Sequence, residues 1–188
     1  HVDGEGTAML TEECALNANR NPGMSRGEVE ALLRSHLGVT CIIWIPRGLQ
    51  GDEDTNGHID NLCCFVRPGE VLLTWTDDVD EPQHAISREA LEALTAARDA
   101  KGRRLKVHLL PLPKPLYRRA DELPSTSASA GGGERSEGER LPASYANFFI
   151  ANGGVVVPLF EGGVGRDAEA LAVIRRCFPG REVVGVDG

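Results

Sequence analysis

The chain has 188 residues, 41% of them apolar, enough for one domain with its own core. A formal net charge of −8 disfavours nucleic acid and anionic membrane surfaces as partners, and no apolar run approaches the ~20 residues that a bilayer span needs. No secretory leader is evident, and five cysteines without C-x-x-C spacing argue for a reducing compartment, so a cytoplasmic setting is expected.

In chain order, Val2 to Thr7 looks like the close of a hairpin whose first strand is missing. A helix follows from Ser25, where Ser25-x-x-Glu28 reads as a capping box. It carries Val29, Leu32, Leu33 and Leu37 and stops at Gly38, ahead of a strand over Val39–Ile45. Leu62–Val66 and Val71–Trp75 flank the turn Arg67-Pro68-Gly69-Glu70 as a hairpin. A second helix is predicted from a Ser87 cap through Ala90, Leu91 and Leu94 to Gly102, and then a strand over Leu105–Leu110. Ser125 to Glu139 is almost wholly Ser, Ala, Gly, Glu and Arg, which reads as a low-complexity surface insertion. A second hairpin turns at Asn152-Gly153-Gly154. A third helix starts near Asp167, breaks at Pro179-Gly180, and precedes a strand over Val183–Val186.

The pattern is an α/β repeat of type ββαβ, present about three times. Such an array is open, because each unit needs neighbours to bury its faces. The open edges predict an oligomeric or poorly soluble chain.

The densest polar segment is Gly51-Asp52-Glu53-Asp54-Thr55-Asn56-Gly57-His58-Ile59-Asp60-Asn61, set between two strands. Asp54 and Asp60 can hold a cation through charge-assisted hydrogen bonds, and His58 can act as a general acid or base. Two other interpretations stand beside this one. One is a solvated acidic loop. The other is a calcium loop, for which Asp52, Asp54, Asn56 and Gly57 have the opening spacing of an EF-hand while its glutamate position falls on Cys63.

These segments resemble a known family. His1 to Thr7, Thr11-Glu12-Glu13-Cys14, Asn17 to Pro22, the loop Gly51–Asn61, Trp75-Thr76-Asp77-Asp78 and Ser144 to Phe148 are similar to plant and algal agmatine deiminases. The likeness covers nearly the whole chain apart from roughly 114–140, and G-H-x-D is shared by guanidine-modifying penteins generally. It implies a partial pentein α/β-propeller: about three ββαβ units of a five-unit pseudosymmetric ring. The implied activity is hydrolysis of agmatine to N-carbamoylputrescine and ammonia. In it a cysteine thiolate attacks the guanidinium carbon, with no cofactor and no metal. His58 would protonate the departing ammonia and then activate water. Asp60 would grip the guanidinium nitrogens, and Asp54 matches a further acid near the substrate. The implied partner is small-molecule agmatine, and a homodimer is compatible with the family.

The departures point to an incomplete catalytic domain. The family nucleophile sits in a Gly-Gly-Asn-x-His-Cys segment, and a substrate-binding acid in a Trp-x-Arg-Asp element; neither occurs between His1 and Gly188. Cys14, Cys41, Cys63, Cys64 and Cys177 all sit in or beside core-like segments. Trp44 and Trp75 are expected in the core, and His36, His84 and His108 on the surface or in packing roles. Two alternatives remain open: deimination of peptidyl arginine, and a truncated chain that does no catalysis.

Overall fold

The structure is a computed structural model that describes residues 1–119 and 136–187. Most of the 125–139 segment therefore lies outside the described residues.

Strand β1 (Thr7–Thr11) runs into a four-residue helix, α1 (Glu12–Ala15), and then α2 (Arg26–Leu37) and β2 (Cys41–Ile45) follow. The Ser25/Glu28 capping box forms in both directions, and Gly38 ends α2 in the left-handed conformation, φ 68°. β2 pairs parallel with β1, Thr7 opposite Cys41 and Thr11 opposite Ile45. Val2 bridges Ala8 in antiparallel fashion, which is the hairpin remnant the sequence suggested.

The second unit opens with a single turn, α3 (Ile59–Leu62), and the hairpin β3 (Cys63–Arg67) and β4 (Glu70–Trp75). Helix α4 (Pro82–Ala96) and β5 (Lys106–Pro111) complete it, β5 lying parallel to β4. Here the expected helix start is corrected. Pro82 occupies the first turn, and the Glu81 side chain accepts from the Gln83 backbone N–H, so the helix begins before Ser87. Ser87 is buried inside it and donates to the Thr74 carbonyl at 2.7 Å. The helix also ends before Gly102, which instead sits at φ 78° in the next turn.

Short strands β6 (Leu116–Tyr117) and β7 (Arg140–Leu141) pair antiparallel and close the two ends of the 120–135 segment. The third unit has β8 (Phe149–Ile150), β9 (Gly154–Leu159), α5 (Arg166–Cys177) and β10 (Glu182–Asp187). β9 is parallel to β10 and antiparallel to β8, in the sheet order β10-β9-β8.

Each unit alone cannot bury its faces, and the structure shows how neighbours do it. The period-2 alternation of a strand sends Ile43 and Ile45 to one face of the first sheet and Ile42 and Trp44 to the other. Val29 and Leu33 of α2 pack on Trp44 and Ile42. Met9, Ile43 and Ile45 pack instead on Ile86, Ala90 and Leu94 of α4, which also cover Phe65, Val71 and Leu73 of the second sheet. The far face of that sheet, Cys64, Leu72 and Leu110, meets Ala170, Leu171 and Ile174 of α5, which in turn cover Val155 and Val183 of the third. Helix and sheet layers thus alternate, and α4 and α5 each serve two sheets. Full burial of each such aliphatic side chain contributes about 1.5–3 kcal/mol. Among the described residues no sheet closes on itself, and no helix is long and apolar enough to cross a membrane.

Candidate functional site

The polar loop between β2 and α3 is held by contacts from all three units. Its two limbs cross at Gly48 and Gly57, so close that a Cβ on Gly48 would run into the backbone of Gly57. Only glycine fits there, and Gly57 also takes φ 78°. Glu13 secures the crossing. Its Oε2 accepts the Gly48 N–H at 2.8 Å and lies 2.6 Å from where a Gly57 Cβ would be. Thr11 Oγ1 donates to the Gly57 carbonyl while also accepting the Cys14 N–H as the cap of α1. From α4, the buried Gln83 accepts the Gln50 N–H at 2.8 Å.

Inside the loop the organiser is Asp52, only 5% exposed. Its Oδ2 accepts from Thr55 Oγ1 (2.6 Å), the His58 backbone N–H (2.9 Å) and Asn61 Nδ2 (3.0 Å). Asp52 was legible as a member of the acidic run and as the opening position of the calcium-loop spacing, not as the loop's organiser. The signal that could have singled it out is the Asp52-x-x-Thr55 spacing, in which a carboxylate captures nearby donors in a turn. Such capture uses the carboxylate for structure, which disfavours a calcium loop built on it.

His58 caps the single turn α3, and Asp60 lies in that turn. His58 Nδ1 and Asp60 Oδ1 are 3.8 Å apart, both partly open to solvent. They line a cleft of about 260 Å³ together with His1, Leu10, Thr11, Cys14, Ala15 and Ile59. The structure therefore brings His58 and Asp60 together. Asp54 is not with them. It lines a larger hollow, about 490 Å³, on the other limb of the loop, beside Glu13, Asp52, Glu53 and Glu139. Among the described residues the one guanidinium in that lining, Arg47, is paired with Glu89 through two hydrogen bonds of 2.9 and 2.7 Å. The hollow therefore presents net negative charge, suited to a cation.

Cys14 is the residue sequence reasoning passed over. Its position three residues after a Thr11 cap puts its thiol in the His58 cleft. Burial raises its pKa, and the Arg20 charge only partly offsets this, so it is no pre-ionised thiolate. All five cysteines are free. Burial pushes the Cys63 and Cys64 thiols up strongly, as expected of small hydrophobes in a core. Trp44 is buried against α2 as expected, with its ring under the Arg26 guanidinium, whereas Trp75 is only half-buried. The histidines expected on the surface or in packing roles have polar contacts: His108 Nε2 contacts Glu70 Oε2 at 2.8 Å, His84 Nδ1 the Thr76 carbonyl oxygen at 2.9 Å, and His36 Nδ1 the Leu32 carbonyl oxygen at 3.0 Å.

Comparison with known proteins points the same way. The chain is 52% identical over its whole length to the agmatine deiminase of Pseudomonas putida and 51% identical to that of Medicago truncatula, covering 50% of each. In structure it is similar to the agmatine deiminase of Enterococcus faecalis, with a TM-score of 0.89 at 38% identity, over all of this chain and 50% of that one. The chain thus spans about half the length of the relatives it matches. The profile of the Porphyromonas-type peptidyl-arginine deiminase family matches residues 1–188, and the chain belongs to that family.

Proposed function

We propose that residues 1–188 are part of the catalytic domain of a hydrolase that deiminates agmatine to N-carbamoylputrescine and ammonia. The observation that carries this is the His58–Asp60 pair in one cleft, on a loop whose backbone is fixed by Asp52 and Glu13. His58 is the general acid and base, protonating the leaving ammonia and then taking a proton from water. Asp60 grips the guanidinium nitrogens through charge-assisted hydrogen bonds. Asp54, in the anionic hollow across the loop, attracts the cationic substrate. The relatives are agmatine deiminases, which supplies agmatine as the substrate.

The same proposal extends to the fold. The layers end in two uncovered faces: Leu32 and Leu37 on α2, and Phe149, Val156 and Val184 on the third sheet. With relatives of twice the length, this supports three units of a five-unit ring, completed by chain outside these residues. The segment 125–139 is an insertion within the domain, consistent with the β6–β7 pairing that joins its flanks.

The test is ammonia release from agmatine by a polypeptide extended at both ends to the relatives' length, beside the 188-residue chain. His58→Ala in the extended protein should lower kcat by about a hundredfold or more. Retention of a tenth of the activity would sink the assignment. Turnover by the 188-residue chain alone would make Cys14 the candidate thiol, since it shares the His58 cleft. Peptidyl-arginine deimination is the second reading, favoured by the family profile, and an arginyl peptide in the same assay separates the two.

A further inference from the structure

His58 is held from a distance. Asn61, three residues on, is gripped at both ends of its side-chain amide. Its Nδ2 donates to Asp52 Oδ2, and its Oδ1 accepts from Asn147 Nδ2 at 2.7 Å. Its carbonyl also accepts from Thr74 Oγ1. Asn147 belongs to the third unit, and the turn that presents it is anchored twice. Ser144 Oγ shares a hydrogen with Thr74 Oγ1 and accepts the Ala146 N–H. The buried Tyr145 donates its hydroxyl to Asp167. A polar chain therefore runs Asn147, Asn61, Asp52, His58 N–H, from one unit into the catalytic loop of another.

We propose that Asn147 is a positioning residue, which sets the backbone of His58 through Asn61 and Asp52. Its meaning for catalysis rests on the function proposed above. Among the described residues Asp52 Oδ1 is buried with no hydrogen-bond partner, so the carboxylate is oriented by the donors on Oδ2. If Asn147 releases Asn61, one of those three donors is freed to turn away. The His58 amide then loses a fixed acceptor, and the imidazole loses a fixed base. Asn147 itself is exposed, so its replacement leaves no hole in the core.

The experiment is amide hydrogen exchange and 1H–15N spectroscopy on the 188-residue chain with Asn147→Ala, Asn61→Leu and both. Asn147→Ala should shift the His58 amide signal and speed its exchange about tenfold, leaving the β4 amides of Val71 to Leu73 unchanged. In the Asn61→Leu background, Asn147→Ala should add nothing, since the relay is already cut. In the extended polypeptide, Asn147→Ala should lower kcat about tenfold with KM changed less than twofold. An unaltered His58 amide in Asn147→Ala overturns the proposal. So does an equal rise in exchange across β4 and α5, which would mean general loosening. Neither result depends on whether His58→Ala is active, so failure of this relay and failure of the deiminase reading are separable.

Discussion

The second and third sheets are built alike, an antiparallel hairpin whose second strand leads through a helix to a parallel third, yet they end differently. Cys64, Leu72 and Leu110 of the second sheet lie under α5 and are buried. Phe149, Val156, Val184 and Val186 occupy the corresponding outer face of the third, where Phe149 is 69% exposed. The strands of both are short, continuous apolar runs, such as Val71 to Leu73 and Val155 to Val157. What differs is the next layer: among the described residues one sheet has a second helix and the other does not. In an alternating stack, whether a residue is core is decided by the following unit and not by its own.

The largest effect that sharpens this contrast is a charge on each face. Leu72→Asp leaves an unpaired carboxylate under α5 and should cost about 4 kcal/mol or more by denaturant unfolding, enough to unfold a marginal domain. Val184→Asp, on the open face, should cost under about 0.5 kcal/mol. In the extended polypeptide the second number should rise towards the first. If it stays small there, the third sheet is a true end of the stack.

Next is the junction that seats α5. Burial by itself would raise the Asp167 carboxyl. The Tyr145 hydroxyl and the N–H groups of Phe160, Gly163 and Glu161 outweigh it and hold the pKa below the usual carboxylate range. A depressed carboxyl contributes stability that is complete above its unfolded pKa, near 4, and is lost as pH falls through the folded value. Asp167→Asn should therefore cost about 3 kcal/mol at pH 7 and flatten the fall in stability below pH 4, measured by unfolding at each pH. Gly57→Ala tests the loop crossing outside the layers. It meets Glu13 and Gly48 and strains a positive φ, so a loss of about 2 kcal/mol is expected in thermal unfolding. The smallest effect is kinetic. A thiol reagent should label the half-buried Cys14 and Cys41 in the folded chain and reach Cys63, Cys64 and Cys177 only on unfolding. Rapid labelling of Cys64 would mean that α5 does not keep the second sheet covered.

The helix faces and hairpins were readable because their periods are local: Val29 and Leu33, or Val71 and Leu73, announce their faces over a few residues. The start of α4 was misplaced because Ser87 has the local look of a cap, while Pro82 and Glu81 begin the helix earlier and bury Ser87 against Thr74. β1 was visible only as a hairpin remnant, since the partner it needs, β2, is more than thirty residues on. At the candidate site, G-H-x-D marked His58 and Asp60, and the structure puts both in one cleft. Asp52, Glu13 and Asn147 were not legible as its supports. Each acts through a contact with a distant residue, Glu13 on Gly48 and Asn147 on Asn61, and no local pattern encodes such pairs.

That α4 and α5 each serve two sheets has a consequence for how such a chain can be cut or rearranged. The sequence repeat and the cooperative block are out of phase by half a unit. A breakpoint placed between repeats, the natural choice for circular permutation or for splicing units between relatives, separates a helix from one of its two sheets. A breakpoint between α4 and β5 would sever the β4–β5 pairing but leave α4 on β2 and β4, and α5 on β5 and β10. Where the cut is made, and not how many units are kept, should then govern which pieces remain folded.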